Sequence, residues 1–166
     1  MNEIDDRGFQ KNYKNYIFQC LLLFVCESLI LLLYSLFGGI IVASLGASGF
    51  IVFATPHMNG SRSRNLIGGY VCGAIAGILF GVLYNKISAF SFPGVDYVLI
   101  FVCAAASALA TFLMVTTNFV HPPAAALALG LSAEPECIKI AIAAIIGVII
   151  LCTTRYILKK YLKNLI

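Results

Sequence analysis

The segment Thr117 to Gly130, TNFVHPPAAALALG, puts one of the chain's two histidines directly before two prolines inside an apolar stretch. A histidine side chain can donate a hydrogen bond, accept one, or take up a proton near neutral pH. Proline has no amide hydrogen and a φ already close to helical values, so it suits the first turn of a helix and breaks an interior. His121-Pro122-Pro123 therefore marks where a helix begins. The helix is expected to run through AAALALGLS towards Glu134, with Pro135 closing it. At 1.5 Å per residue such a helix covers roughly 15 Å, about half a bilayer, which sets its amino end near the midplane. An amino end carries unpaired N–H groups and about half a positive charge. The chemistry this offers is anion binding without Lys or Arg. Ala124 would supply a backbone N–H, His121 a polar head and Asn118 a lining group. Thr116 and Thr117 are weaker lining candidates, since Thr often bonds its own helix.

A second set of residues can do the same. In Gly46-Ala47-Ser48-Gly49 the glycines permit a sharp backbone and Ser48 can cap. A short helix is expected over Gly49–Thr55, ended by Pro56. The structural alternative for His121 is a neutral ring that caps a broken backbone. Glu27, in VCESL at the centre of an apolar run, is expensive as an ion there. It either couples transport to protons or pairs structurally with a backbone break, a His or an Arg. Arg62 and Arg64 set topology first, among lipid phosphates, and Arg64-Asn65 can also form a vestibule for anions. His57 is placed at the cytoplasmic edge as a surface residue. No HExxH or GxSxG motif occurs, and neither a metal site nor a cofactor is expected.

The elements that must position these residues follow from composition. The chain has 166 residues, 61% of them hydrophobic and 11% charged, with a mean hydropathy of +0.97. A soluble domain of this size has too little interior to hide that much apolar surface, so the chain reads as an integral membrane protein. The net charge of +4 belongs to flanks at the membrane surface and carries no nucleic-acid signature. The first apolar block has no small-x-small cleavage site after it and is expected to be a retained helix. The six cysteines show no CxxC spacing and read as free, small hydrophobes.

Four segments have the length and character of spans: Ile17–Phe37, Leu66–Tyr84, Tyr97–Thr117 and Cys137–Ile157. Between them lie two interrupted stretches, Gly38–Pro56 and Asn118–Pro135. A shift of 79 positions lays one stretch on the other, pairing Pro56 with Pro135, Ala54 with Ala133 and Gly46 with Ala125. The expected fold is an all-α polytopic membrane protein with six spans in two inverted three-span repeats, each holding one broken, half-length helix. Residues 1–16 form an amino-terminal cytoplasmic segment, 17–84 the first repeat, 97–157 the second and 158–166 a basic cytoplasmic tail. If both termini are inside, Arg7, Lys11, Lys14, Arg62, Arg64, Arg155, Lys159, Lys160 and Lys163 share the cytoplasmic side, leaving Lys86 and Lys139 outside. That bias suits a cell (inner) membrane. Broken segments that only re-enter give a slightly smaller bias. Gly69, Gly73, Gly77 and Gly81 form one stripe along the third span. The stripe predicts close packing against Ala104, Ala106, Ala108 and Ala110 of the next span or against another subunit.

His121-Pro122-Pro123 with Ala124-Ala125-Ala126, together with Gly46-Ala47-Ser48, Pro56 and Arg64-Asn65-Leu66-x-x-Gly69, resembles the HPP family of integral membrane proteins. The resemblance covers nearly the whole chain. It implies a polytopic protein, often described with four spans, and some members are associated with nitrite transport. Where members carry a Ser-Pro-Leu-like segment, this chain has His57-Met58-Asn59-Gly60 after Pro56. The resulting expectation is a transporter or channel for a small monovalent anion, nitrite first, in a lipid-embedded homo-oligomer and not an enzyme. The alternative is a non-transporting scaffold or regulatory subunit.

Overall fold

The computed structural model describes residues 6–37, 42–87 and 96–165. Residues 1–5, the start of the first interrupted stretch at Gly38, most of the join between the expected repeats and Ile166 lie outside the described residues, as do the side chains of Arg7 and Lys11. In chain order the helices are α1 (Asp6–Phe37), α2 (Val42–Ala54), α3 (Ser63–Ile87), α4 (Tyr97–Thr117), α5 (Pro123–Ser132) and α6 (Cys137–Leu158), with a 3-10 turn over Asn59–Ser61. No strand occurs among the described residues. Tyr13–Leu32 within α1, and α3, α4 and α6, are long and apolar enough to cross a membrane; α2 and α5 are shorter apolar helices. Helix is what such a sequence must form, because hydrocarbon offers the backbone no other hydrogen-bond partner.

Half of the most apolar window of α3 and of α6 is buried, against 17% in α1 and 22% in α4. The arrangement is therefore a centre of α3 and α6 with the two short helices, flanked by α1 and α4. Consecutive helices run in opposite directions. Going up α1, Leu23 and Glu27 face Gly49 and Gly46, and further up Ile30 and Leu45 meet at Gly147, so α2 runs back down. The beginning of α1 and the carboxyl-terminal tail lie together at one end of the bundle. There Tyr16 donates to the Leu165 carbonyl at 2.7 Å, and the buried Gln19 donates to the carbonyls of Phe53 and, at 2.9 Å, Lys163. Leu165 N–H donates to Ala54 O at 2.9 Å and Arg155 to Pro56 O at 2.7 Å. The end of α2 thus has its orphan carbonyls satisfied by α1, α6 and the tail.

The glycine stripe of α3 does pack closely, but its partner is α5, not the alanines of α4. A Cβ on Gly69 would lie 2.7 Å from that of His121, and one on Gly77 would lie 2.6 Å from that of Leu131. On Gly73 a Cβ would run into the Ala124 carbonyl oxygen. Without side chains on this stripe, α5 lies almost backbone to backbone on α3. Helix α4 packs on α3 as well, burying Ala106 and Ala110, while Ala104 and Ala108 face outward.

Candidate functional site

The residues around His121 are placed by two local events. Helix α4 ends at Asn118, whose φ of 58° is left-handed, with Phe119 N–H on Met114 O at 2.9 Å and Asn118 N–H on Val115 O at 3.3 Å. This 6→1 and 5→2 pair is a Schellman stop, and Asn tolerates the αL position it requires. Five residues after Asn118, Pro123 opens α5, as His-Pro-Pro foretells, and the helix is ten residues long. His121 is held in the short loop between, fully buried.

Its ring joins three other segments. Nδ1 lies 3.0 Å from the Gly60 carbonyl, and Nε2 lies 2.8 Å from the hydroxyl of Ser48 on α2. That hydroxyl also lies 2.8 Å from Tyr70 Oη on α3 and 2.9 Å from Ser44 O. His121, Ser48 and Tyr70 are all 0% exposed. A carbonyl can only accept, so Nδ1 carries a proton. With a neutral ring, Nε2 accepts from Ser48, and Tyr70 donates to Ser48. If Ser48 instead turns its proton to Ser44 O, Nε2 must donate and the ring is an imidazolium. The same heavy atoms therefore serve two arrangements that differ by one proton on Nε2, so passing from the first to the second takes up a proton as well as turning the Ser48 hydroxyl.

Above this joint, at the bundle end where Tyr16 of α1 meets the tail at Leu165, a cavity of about 500 Å³ is lined by Asn59, Gly60, Arg62, Arg64, Asn65, Asn118, Val120 and Pro122, with no carboxylate among them. The Arg64 guanidinium lies 5.1 Å from the centre of the Phe119 ring, a cation–π contact. Asn65 Nδ2 donates to Val120 O at 3.4 Å. Arg64 and Asn65 line this concavity, and Gly60 and Pro122 in its wall adjoin the buried His121.

Three expectations need correction. First, the backbone is not broken at Gly46-Ala47-Ser48-Gly49, because α2 runs through it from Val42. Ser48 sits six residues into the helix and is no cap. The amides of Gly46, Ala47, Ser48 and Gly49 belong to the helical ladder and are closed to an anion. The glycine cost of about 1 kcal/mol is smaller than the cost of opening amides in an apolar setting. Second, the amino end of α5 offers no open N–H. Pro122 and Pro123 have none, while those of Ala124 and Ala125 already donate to His121 O at 2.9 Å and Pro122 O at 3.0 Å. The tip of α5 meets the flank of α2, about 9 Å along from the start of α2, so two amino ends do not face each other. Third, Glu27 does not join His121. It packs on the Gly46 and Gly49 face of α2, which at 100° per residue lies opposite Ser44 and Ser48. Its Oε1 is buried without a hydrogen-bond partner.

Thr116 and Thr117 bond carbonyls of their own helix, Phe112 and Leu113. His57 is exposed, with its backbone N–H on Asn164 Oδ1 at 3.1 Å. The reading from sequence missed Tyr70, Gly60 and Asn59. Tyr70 carries a signal in hindsight, being a polar hydroxyl directly after Gly69, beside a stripe free of side chains. A family model for the HPP transmembrane region matches residues 9–164. No curated protein and no solved structure gave a match to the chain.

Proposed function

From the premise that the chain belongs to the HPP transmembrane family, we propose that it passes a small monovalent anion, nitrite first, across a cell membrane and carries out no chemistry on it. The observation that carries this reading is the arginine- and asparagine-lined cavity resting directly on the buried His121–Ser48–Tyr70 joint. A carboxylate-free mouth attracts anions. The joint behind it is a polar group at depth in an apolar protein, where polar groups are rarely idle. In the conformation described the joint is closed, since every one of its three side chains is buried and bonded. Passage requires α2 to move against α5 and α3, carrying Ser48 away from His121 and exposing the imidazole to the ion.

The same proposal includes the inverted repeat, a homo-oligomer and a cytoplasmic vestibule end. The repeat is supported by position: α1 and α4 are peripheral, α2 and α5 short, α3 and α6 central. Flux of nitrite into liposomes containing the purified protein is the test. His121→Ala should cut that flux at least about tenfold while the protein still inserts, the scale of one lost charge-assisted hydrogen bond. Unchanged flux would remove His121 from the path. A scaffold role is the second reading, favoured by the full satisfaction of the joint, and wild-type liposomes impermeable to anions at every gradient would select it.

A further inference from the structure

Resting on the anion-passage reading, we infer that the vestibule is a recognition site for small planar oxyanions, distinct from the buried joint and selective against halides. Its side-chain donors are guanidinium and carboxamide N–H groups. Arg62 and Arg64 present guanidinium forks, and Asn59, Asn65 and Asn118 present carboxamides. A guanidinium fork matches two oxygens held on one central atom, so it gains two parallel bonds from a nitrite- or formate-like ion and only one from a spherical halide. Two backbone acceptors in the wall are occupied. Gly60 O takes the His121 ring N–H and Val120 O takes the Asn65 amide, so neither carbonyl needs a donor from the cavity. Arg64 is steadied over Phe119, which lowers the entropy lost on binding, and the left-handed stop of α4 fixes the backbone from which the Asn118 carboxamide extends. A cavity of about 500 Å³ leaves room for water beside so small an ion, so the site captures the ion still partly hydrated and does not depend on the joint behind it being open.

Binding is measured on the purified protein in neutral detergent, by calorimetry and by the rise in unfolding temperature. Nitrite, nitrate, formate and chloride are titrated at constant ionic strength. Saturable stabilisation by the three oxyanions is expected, with chloride needing about tenfold higher concentration. Arg64→Lys keeps the charge and should erase the preference. Arg64→Ala should weaken oxyanion binding by about tenfold. Asn118→Gly retains the left-handed backbone and removes only the carboxamide, so a several-fold weakening with an unchanged unfolding temperature in the absence of oxyanion marks a lost ligand contact and not a lost fold. Chloride matching nitrite in the wild type, or Arg64→Ala binding as the wild type does, overturns the site. Displacement of nitrite by added phosphatidylglycerol also overturns it and assigns these arginines to lipid headgroups. Oxyanion binding without liposome flux would sink the passage reading and leave the site standing. Flux without Arg64-dependent binding would do the reverse.

Discussion

Helices α2 and α5 hold the same place in the two halves of the chain, and the shift of 79 positions carries Val42–Ala54 onto 121–133, around the observed Pro123–Ser132. They are held by different means. Helix α5 is started by prolines and lies against the glycine stripe of α3, a backbone-to-backbone contact with no flexible side chain in it. Helix α2 is held by side chains: Glu27 and Leu23 on one face, Ser48 bonded to Tyr70 and His121 on another, and a collar from the tail at its end. One short helix is a fixed wall and the other is a part that rearranging side chains can release. Under the proposed passage, one fixed and one adjustable short helix would give the bundle a defined direction of opening.

The largest effect that tests this contrast is on the wall. Gly73→Val drives a branched side chain into the Ala124 carbonyl, and the expected cost is about 3 kcal/mol or more. Loss of the monodisperse peak in size-exclusion chromatography is the readout, and a well-behaved variant would show that α5 is not fixed by this contact. The next effect is on the joint. Ser48→Ala leaves Tyr70 Oη and His121 Nε2 without their shared partner, at about 1–3 kcal/mol. Thermal unfolding reports the loss, and hydrogen exchange should rise in α2 more than in α5. Equal exchange in both helices would erase the distinction between wall and gate. The smallest effect has the opposite sign. A Cβ on Gly46 would meet only Glu27, at 3.6 and 3.7 Å, an ordinary contact. In a continuous helix Gly46→Ala should therefore be neutral or stabilise by up to about 1 kcal/mol. If the backbone bent there as the sequence suggests, the same substitution would lower the unfolding temperature.

Legibility followed the locality of the physics. His121-Pro122-Pro123 announces the start of α5 because proline's missing amide acts within its own turn. The spans were readable because hydrocarbon thickness sets their length, and α4 has the expected bounds, Tyr97–Thr117. The stretch Gly46–Gly49 misled because glycine permits a break without requiring one. Gly49 serves a neighbour instead, since Glu27 and Leu23 of α1 occupy the space its side chain would fill. Asn118 was legible as a cavity residue, while its role as a helix stop shows only in its φ.

Composition and the order of apolar blocks determined that this is a helical membrane protein, and His121-Pro122-Pro123 determined that a helix begins at the prolines. Those properties depend on the solvent and on single turns of backbone. Tertiary structure alone decided that Tyr70 and Ser48 share the imidazole, that α5 takes the glycine stripe and that Glu27 is turned away from His121. Helical periodicity says which residues share a face, but the partner of that face depends on which packing excludes the most empty space, a property of all six helices together.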